Sequence, residues 1–188
     1  MYINNQKSSA NPRLSLFGST RIMAVSALLA AMSIVFGKFL AVNIGSTFRF
    51  SLENLPVLMA GCFFGPVVGG AVGAGADIIG SLLRGYAINP LITVGAAAVG
   101  ITAGIVSRRF FIGRINLNTA ASVAAAHLIG SVLIKSAALC IAFDAPAVTF
   151  LYRLMIYAAT GAIEGTIIYI LRTNKAFTAQ LDRIRRYE

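Results

Sequence analysis

The stretch Asn54-Leu55-Pro56-Val57-Leu58-Met59-Ala60-Gly61-Cys62-Phe63-Phe64-Gly65-Pro66-Val67-Val68-Gly69-Gly70-Ala71-Val72-Gly73-Ala74-Gly75-Ala76 carries no charged side chain. Read as one helix it is a single membrane span, since about 20 apolar residues cross a bilayer. Broken at Gly65-Pro66 it is two. Pro66 lacks an amide donor and suits a first helical turn, and Gly65 tolerates the turn before it. Charge chooses between the readings. Of the 16 Lys and Arg, most fall in three clusters: Lys7, Arg13 and Arg21; Arg108, Arg109 and Arg114; Arg172, Lys175, Arg183, Arg185 and Arg186. Basic loops mark the cytoplasmic side of a membrane protein. Five spans would leave two of these clusters outside, whereas the break puts all three inside. The chain is therefore read as all-α, an integral membrane bundle of six transmembrane helices with cytoplasmic N- and C-termini.

Composition agrees. A hydrophobic share of 57%, a charged share of 12% and a mean hydropathy of +0.80 exceed what a soluble domain carries. The spans fall at about 20–40, 51–64, 66–84, 90–107, 118–143 and 147–171. Residues 1–19 form a cytoplasmic N-terminal tail, 20–172 a six-helix membrane domain, and 173–188 a basic cytoplasmic C-terminal tail. The polar start has no apolar region before a cleavage site, so the first span is expected to serve as its own insertion signal. The net charge of +10 is read as orientation within the lipid bilayer of a bacterial-type cell membrane, with no nucleic-acid partner. Cys62 and Cys140 lie in apolar runs without metal-ligand spacing and are read as reduced.

Small residues recur one helical turn apart in Gly61xxxGly65, Gly69xxxGly73, Gly100xxxGly104 and Gly161xxxGly165, spacings that let helices approach closely in lipid. On the first helix, Ala24, Ala27, Ala30 and Ala31 make a smooth face that serves either the bundle or a partner subunit.

The remaining charges carry the functional reading. A charge at mid-bilayer costs roughly 2.5–3.5 kcal/mol on insertion scales, so such residues face the interior and pair or bind ligand. In the six-span arrangement Lys38, Arg49, Glu53, Arg84, Asp144 and Arg153 gather at the outer end, with Asp77 and Lys135 somewhat deeper. Phe48, Phe50, Tyr86, Phe143, Tyr152 and Tyr157 are interleaved with them. A net cationic, aromatic-walled mouth suits an anionic ligand with a planar ring. The structural alternative is ion pairing, Asp77 with Lys135 and Arg153 with Asp144. His127 reads as a packing histidine, and Glu164 falls on the inner half of the last span. The sequence has no Gly-x-x-x-x-Gly-Lys-[Ser/Thr] motif, no metal-ligand cluster and no Gly-x-Ser-x-Gly, so it is read as a non-enzyme binding no cofactor of its own.

Phe48-Arg49-Phe50-Ser51-Leu52-Glu53-Asn54-Leu55-Pro56, then Leu58-Met59-Ala60-Gly61, Phe64-Gly65-Pro66-Val67-Val68-Gly69-Gly70, Val72-Gly73 and Ala76-Asp77-Ile78-Ile79-Gly80 resemble the substrate-binding (S) components of energy-coupling factor (ECF) vitamin transporters, the folate family in particular. Asn89-Pro90-Leu91-Ile92-Thr93 and Gly100-Ile101-Thr102-Ala103-Gly104 continue the likeness, which covers about residues 20–172. The resemblance implies six helices, a membrane T subunit and two ATP-binding-cassette ATPases that hydrolyse ATP on this chain's behalf. It also implies that Ala27 and Ala31 contact the T subunit, and that the whole S component topples in the membrane to carry its vitamin inward. For the substrate it implies folate or a reduced folate. Arg49, Arg84 and Arg153, with Lys135, would hold the glutamate carboxylates or ring acceptors. Phe48, Phe50, Tyr86 or Tyr157 would stack on the pterin, and Glu53 or Asp77 would accept from its amino edge. The rival readings are an S component for pantothenate, a thiamine precursor or a queuosine precursor, and an autonomous secondary transporter.

Overall fold

The computed structural model describes residues 20–44, 48–144, 146 and 148–185. It is a helical bundle. In chain order it runs α1 (Thr20–Phe39), a short antiparallel ribbon of β1 (Val42–Ile44) and β2 (Phe48–Phe50), α2 (Asn54–Phe64), α3 (Pro66–Leu83) and α4 (Pro90–Arg109). There follow α5 (Ile115–Ala126), a π-helical segment (His127–Ile134) and α6 (Lys135–Phe143), which form one continuous rod, then α7 (Thr149–Thr173) and α8 (Lys175–Arg185). The ribbon occupies the loop expected over 41–50.

Thr20–Phe39, Pro66–Leu83, Pro90–Arg109, Ile115–Ala142 and Thr149–Thr173 are each long and apolar enough to cross a membrane. Their outward faces carry Leu28, Val35, Leu82, Val94, Leu133, Met155 and Ile170, large apolar side chains exposed on the bundle surface. In a bilayer that exposure is favourable. α2 has 11 residues, about 16 Å of helix against a hydrocarbon core of about 30 Å.

The break lies where the sequence puts it. Gly65 separates α2 from α3 with φ +99° and ψ 180°, a region essentially confined to glycine. Pro66 occupies the first turn of α3. The end of α2 is closed from another helix: a terminal nitrogen of Arg108 donates to the Phe64 carbonyl at 2.9 Å. At the start of α4, Asn89 Oδ1 accepts from the Leu91 amide at 3.0 Å, and Pro90 fills the next position.

α2, α3 and α4 mesh through glycine. A Cβ on Gly69 would stand 2.6 Å from the Gly100 carbonyl oxygen, and one on Gly100 would strike Gly69 backbone. Gly61 meets the same Gly100 carbonyl, and Gly104 meets Pro66. The α5–α6 rod packs on the other side of α4, where Gly130 abuts Val99 and Gly95 abuts the stem of Lys135. The core gathers Leu58, Val99, Ala103, Val123 and Ile168.

The two ends of the bundle differ in character. At one, Arg108 reaches Phe64, Asn118 Nδ2 donates to the Ser107 carbonyl at 3.0 Å, and Arg172 donates to Thr119 Oγ1 at 3.0 Å. Arg109, Arg114 and Lys175 join them there. At the other, Gly37 sits against Arg84 and Glu53. Within the segment read as a tail, α8 folds under the basic end: Phe177 packs on Phe63 at 5.3 Å between ring centroids, and Leu181 is buried.

Candidate ligand-binding site

At the end opposite the basic clusters, the bundle opens into a cavity of about 580 Å³, within the roughly 300–1,000 Å³ typical of small-molecule pockets. The turn before α2 supplies Ser51 and Glu53; α3 and the loop after it supply Asp77, Ser81, Arg84 and Tyr86; Asn89 and Ile92 come from the start of α4. Lys135 and Leu139 come from α6, and Arg153 and Tyr157 from the first turns of α7. A narrow extension continues inward between Ser33, Asn54, Val57, Ala96 and Lys135.

Three cations and two carboxylates thus share one wall. Arg84 approaches Glu53 at 3.7 Å, yet its Nε is buried without a hydrogen-bond acceptor. Asp77 Oδ2 accepts from Thr93 Oγ1 at 2.7 Å. Lys135 is only 7% exposed and lines both the cavity and its extension. Among the described residues its amine has no hydrogen bond or ion pair. Gly95 makes room for its stem, since a Cβ there would fall 2.6 Å from Lys135 Cγ. Arg153 donates to the Ser131 carbonyl through Nε at 3.3 Å and a terminal nitrogen at 3.0 Å. That carbonyl lies in the π-helical segment, whose wider winding departs from the regular α-helical ladder. Arg153 also donates to Tyr157 Oη at 3.1 Å and lies over its ring.

Seven of the sequence-derived candidates therefore meet here: Glu53, Asp77, Arg84, Lys135, Arg153, Tyr86 and Tyr157. Phe50 is half-buried on β2, off the cavity wall. The side chains of Phe48 and Arg49 lie outside the described residues. Ala27 and Ala31 are exposed on the outer surface of α1. The ion pairs weighed from the sequence do not form among the described residues: Asp77 turns to Thr93 and Arg153 to Ser131 and Tyr157. Thr93 enters the sequence reading only as part of the family likeness and without a site role, because a threonine at the head of an apolar helix carries no signal of its own.

His127 and Glu164 also differ from expectation. His127 Nε2 and Glu164 Oε2 lie 2.6 Å apart, with Glu164 fully buried. The imidazole stacks on Tyr157 at 5.1 Å and 22°. The histidine packs, as read, but its partner is an acid 37 residues away, a pairing that spacing does not reveal.

Comparison with known proteins fits this architecture. The family model for the "ECF-type riboflavin transporter, S component" matches residues 17–176. Over 62 residues, 33% of this chain, the sequence is 34% identical to the folate transporter FolT of Clostridium novyi (strain NT). It is also 34% identical over 73 residues to an uncharacterised MG313 homologue of Mycoplasma pneumoniae, covering 39% of this chain. These matches span 36% of the first relative and 25% of the second. A crystal structure of FolT bound with folic acid superposes with a TM-score of 0.66 at 22% identity, covering 85% of this chain and 98% of that one. The family is one of transporter components rather than enzymes, and its members are multi-pass membrane proteins. On its match over residues 17–176, the chain belongs to the S-component family of ECF-type transporters.

Proposed function

We propose that this chain is the high-affinity binding subunit for folate or reduced folates in an ECF transporter of the cell membrane. It spans the bilayer six times, α2 being the short span, with both termini in the cytoplasm. The opposite end then opens outward. The chain binds no cofactor; a T subunit and two ATPases complete the transporter and hydrolyse ATP.

The observation that carries the reading is Arg84 Nε, buried without an acceptor in a cavity wall that it shares with the Lys135 side chain. Buried polar groups are nearly always hydrogen-bonded, so Arg84 asks for an acceptor from a ligand, and Lys135 and Arg153 add positive charge beside it; the groups wanted are acceptors and anions. Folate supplies them as glutamate carboxylates and ring acceptors. Its pterin presents an amino group beside a ring NH, which Asp77 or Glu53 would accept, while Tyr86 offers an aromatic face and Tyr157, stacked on His127 and covered by Arg153, a ring edge. The description of the matching family favours a second reading, riboflavin. Riboflavin is uncharged, however, and leaves a wall of three cations and two carboxylates with an unused positive charge.

Titrating the purified chain with folate, 5-formyl-tetrahydrofolate and riboflavin separates the two. Binding of the folates below micromolar with none of riboflavin is the expected result. Riboflavin binding without folate binding would replace the assignment. Binding of neither would end both, and mass spectrometry of the ligand carried through purification would then test the pantothenate, thiamine-precursor and queuosine-precursor alternatives.

A further inference from the structure

The His127–Glu164 pair lies behind the ligand cavity and lines none of it. Its geometry is demanding. Glu164 is fully buried and His127 nearly so, their heteroatoms are 2.6 Å apart, and Glu164 Oε1 has no hydrogen-bond partner. Apolar side chains would pack the π-helical segment against α7 without desolvating an acid in the membrane interior. The pair is oriented, moreover. Ser131 Oγ stands 3.4 Å from His127 Nδ1, so both ring nitrogens face polar atoms and the imidazole plane is fixed. That plane lies nearly parallel to the Tyr157 ring. Tyr157 in turn presents its hydroxyl and its face to Arg153, which is anchored on the carbonyl of the same Ser131. Tyr157 and Arg153 both line the cavity.

The contacts form one unbroken series from Glu164 to the cavity wall. We propose that His127 and Glu164 are positioning residues for ligand binding: they hold the Tyr157 ring, and through it Arg153, in the orientation that meets the ligand. This rests on the reading of the cavity as the ligand site. Stacking fixes the tilt of a ring that could otherwise turn about its side-chain torsions, and a pre-ordered wall binds without ordering cost.

The test is a double-mutant cycle on the full-length protein, with folate as probe. His127→Ala, and separately Glu164→Met, which removes the partner of His127 Nε2 but keeps an apolar side chain of similar length, should each weaken binding about tenfold. Tyr157→Ala should weaken it comparably, and adding His127→Ala to it should cost little more, because the ring to be held is gone. Glu164→Gln, which still reaches His127, should retain most of the affinity lost in Glu164→Met. A pair serving only to glue the π-helical segment to α7 would give multiplicative losses in the cycle, or lower melting temperatures at unchanged affinity. Either result overturns the proposal. Fluorine NMR of fluorotyrosine-labelled protein, with the Tyr157 resonance assigned by Tyr157→Phe, supplies a readout free of ligand. His127→Ala must shift or broaden that resonance; an unchanged signal overturns the positioning role. Failure of the wild type to bind folate, with the Tyr157 resonance still responding, would fault the ligand assignment and leave the positioning intact.

Discussion

The Lys135 side chain is buried on the cavity wall with no hydrogen bond or ion pair among the described residues, and removing its charge gives the sharpest single-residue test. Lys135→Met keeps the length of the stem against Gly95 and deletes the charge. Replacing a buried charge by an apolar group of similar volume is often neutral or stabilising. The variant should therefore melt at the wild-type temperature or above it in detergent, while folate affinity falls about tenfold or more, the worth of one charge-assisted hydrogen bond. A lysine kept for packing would show the reverse, with melting temperature down and affinity unchanged. At this scale the sequence was half legible. Charges in apolar runs announced Asp77, Lys135 and Arg153 as interior residues, because the cost of burying charge depends on composition alone. Their partners were not announced. Whether Asp77 meets Lys135 or Thr93 depends on the rotation of α3 about its axis, and whether Arg153 meets Asp144 or the Ser131 carbonyl depends on a π-helical winding that no residue pattern marks.

Helix contacts were legible as candidates and illegible as pairs. All four Gly-x-x-x-Gly spacings look alike in sequence, yet they occupy unlike surroundings. Gly69 and Gly100 bring the backbones of α3 and α4 into contact, and Gly61 leans on the same carbonyl from α2. Gly165 on α7 has only Val123 Cγ2 near, at 3.9 Å from a built Cβ. The same substitution should thus have opposite effects. Gly100→Ala must push α3 and α4 apart, an overpacking cost of about 1–3 kcal/mol, and should lower the melting temperature. Gly165→Ala meets ordinary van der Waals contact and should be neutral, or stabilising by up to about 1 kcal/mol through reduced chain entropy. Thermal melts of the two variants in the same detergent check the pair; equal losses would mean that the α3–α4 contact is looser than the backbone geometry implies. Gly65-Pro66 was different. A proline with a glycine before it punctuates a helix locally, so the break between α2 and α3 could be read directly, whereas Arg108 capping α2 from across the bundle could not.

On the scale of the whole molecule, the Gly65-Pro66 break and the separation of basic residues from the cavity were the most legible features, Lys7 and Arg13 lying outside the described residues. Arg108, Arg109, Arg114, Arg172 and Lys175 do collect at one end and the cavity at the other. Between those ends, α1 turns a stripe of Ala24, Ala27, Ala31 and Val35 toward the surrounding lipid. Small side chains on a lipid-facing surface give up little to the acyl chains and allow another helix to approach closely. The stripe stands apart from the cavity lining, so docking and ligand binding should be separable. Ala27→Trp and Ala31→Trp should leave folate affinity at the wild-type value. In vesicles reconstituted with the T subunit and both ATPases, ATP-dependent folate uptake by these variants should fall to the level seen without the ATPases, because an indole standing out from α1 holds the partner helix away. The chain alone in vesicles should bind folate and accumulate none. Uptake by the chain alone would make it an autonomous transporter. Normal ATP-dependent uptake by the tryptophan variants would move the docking surface away from α1.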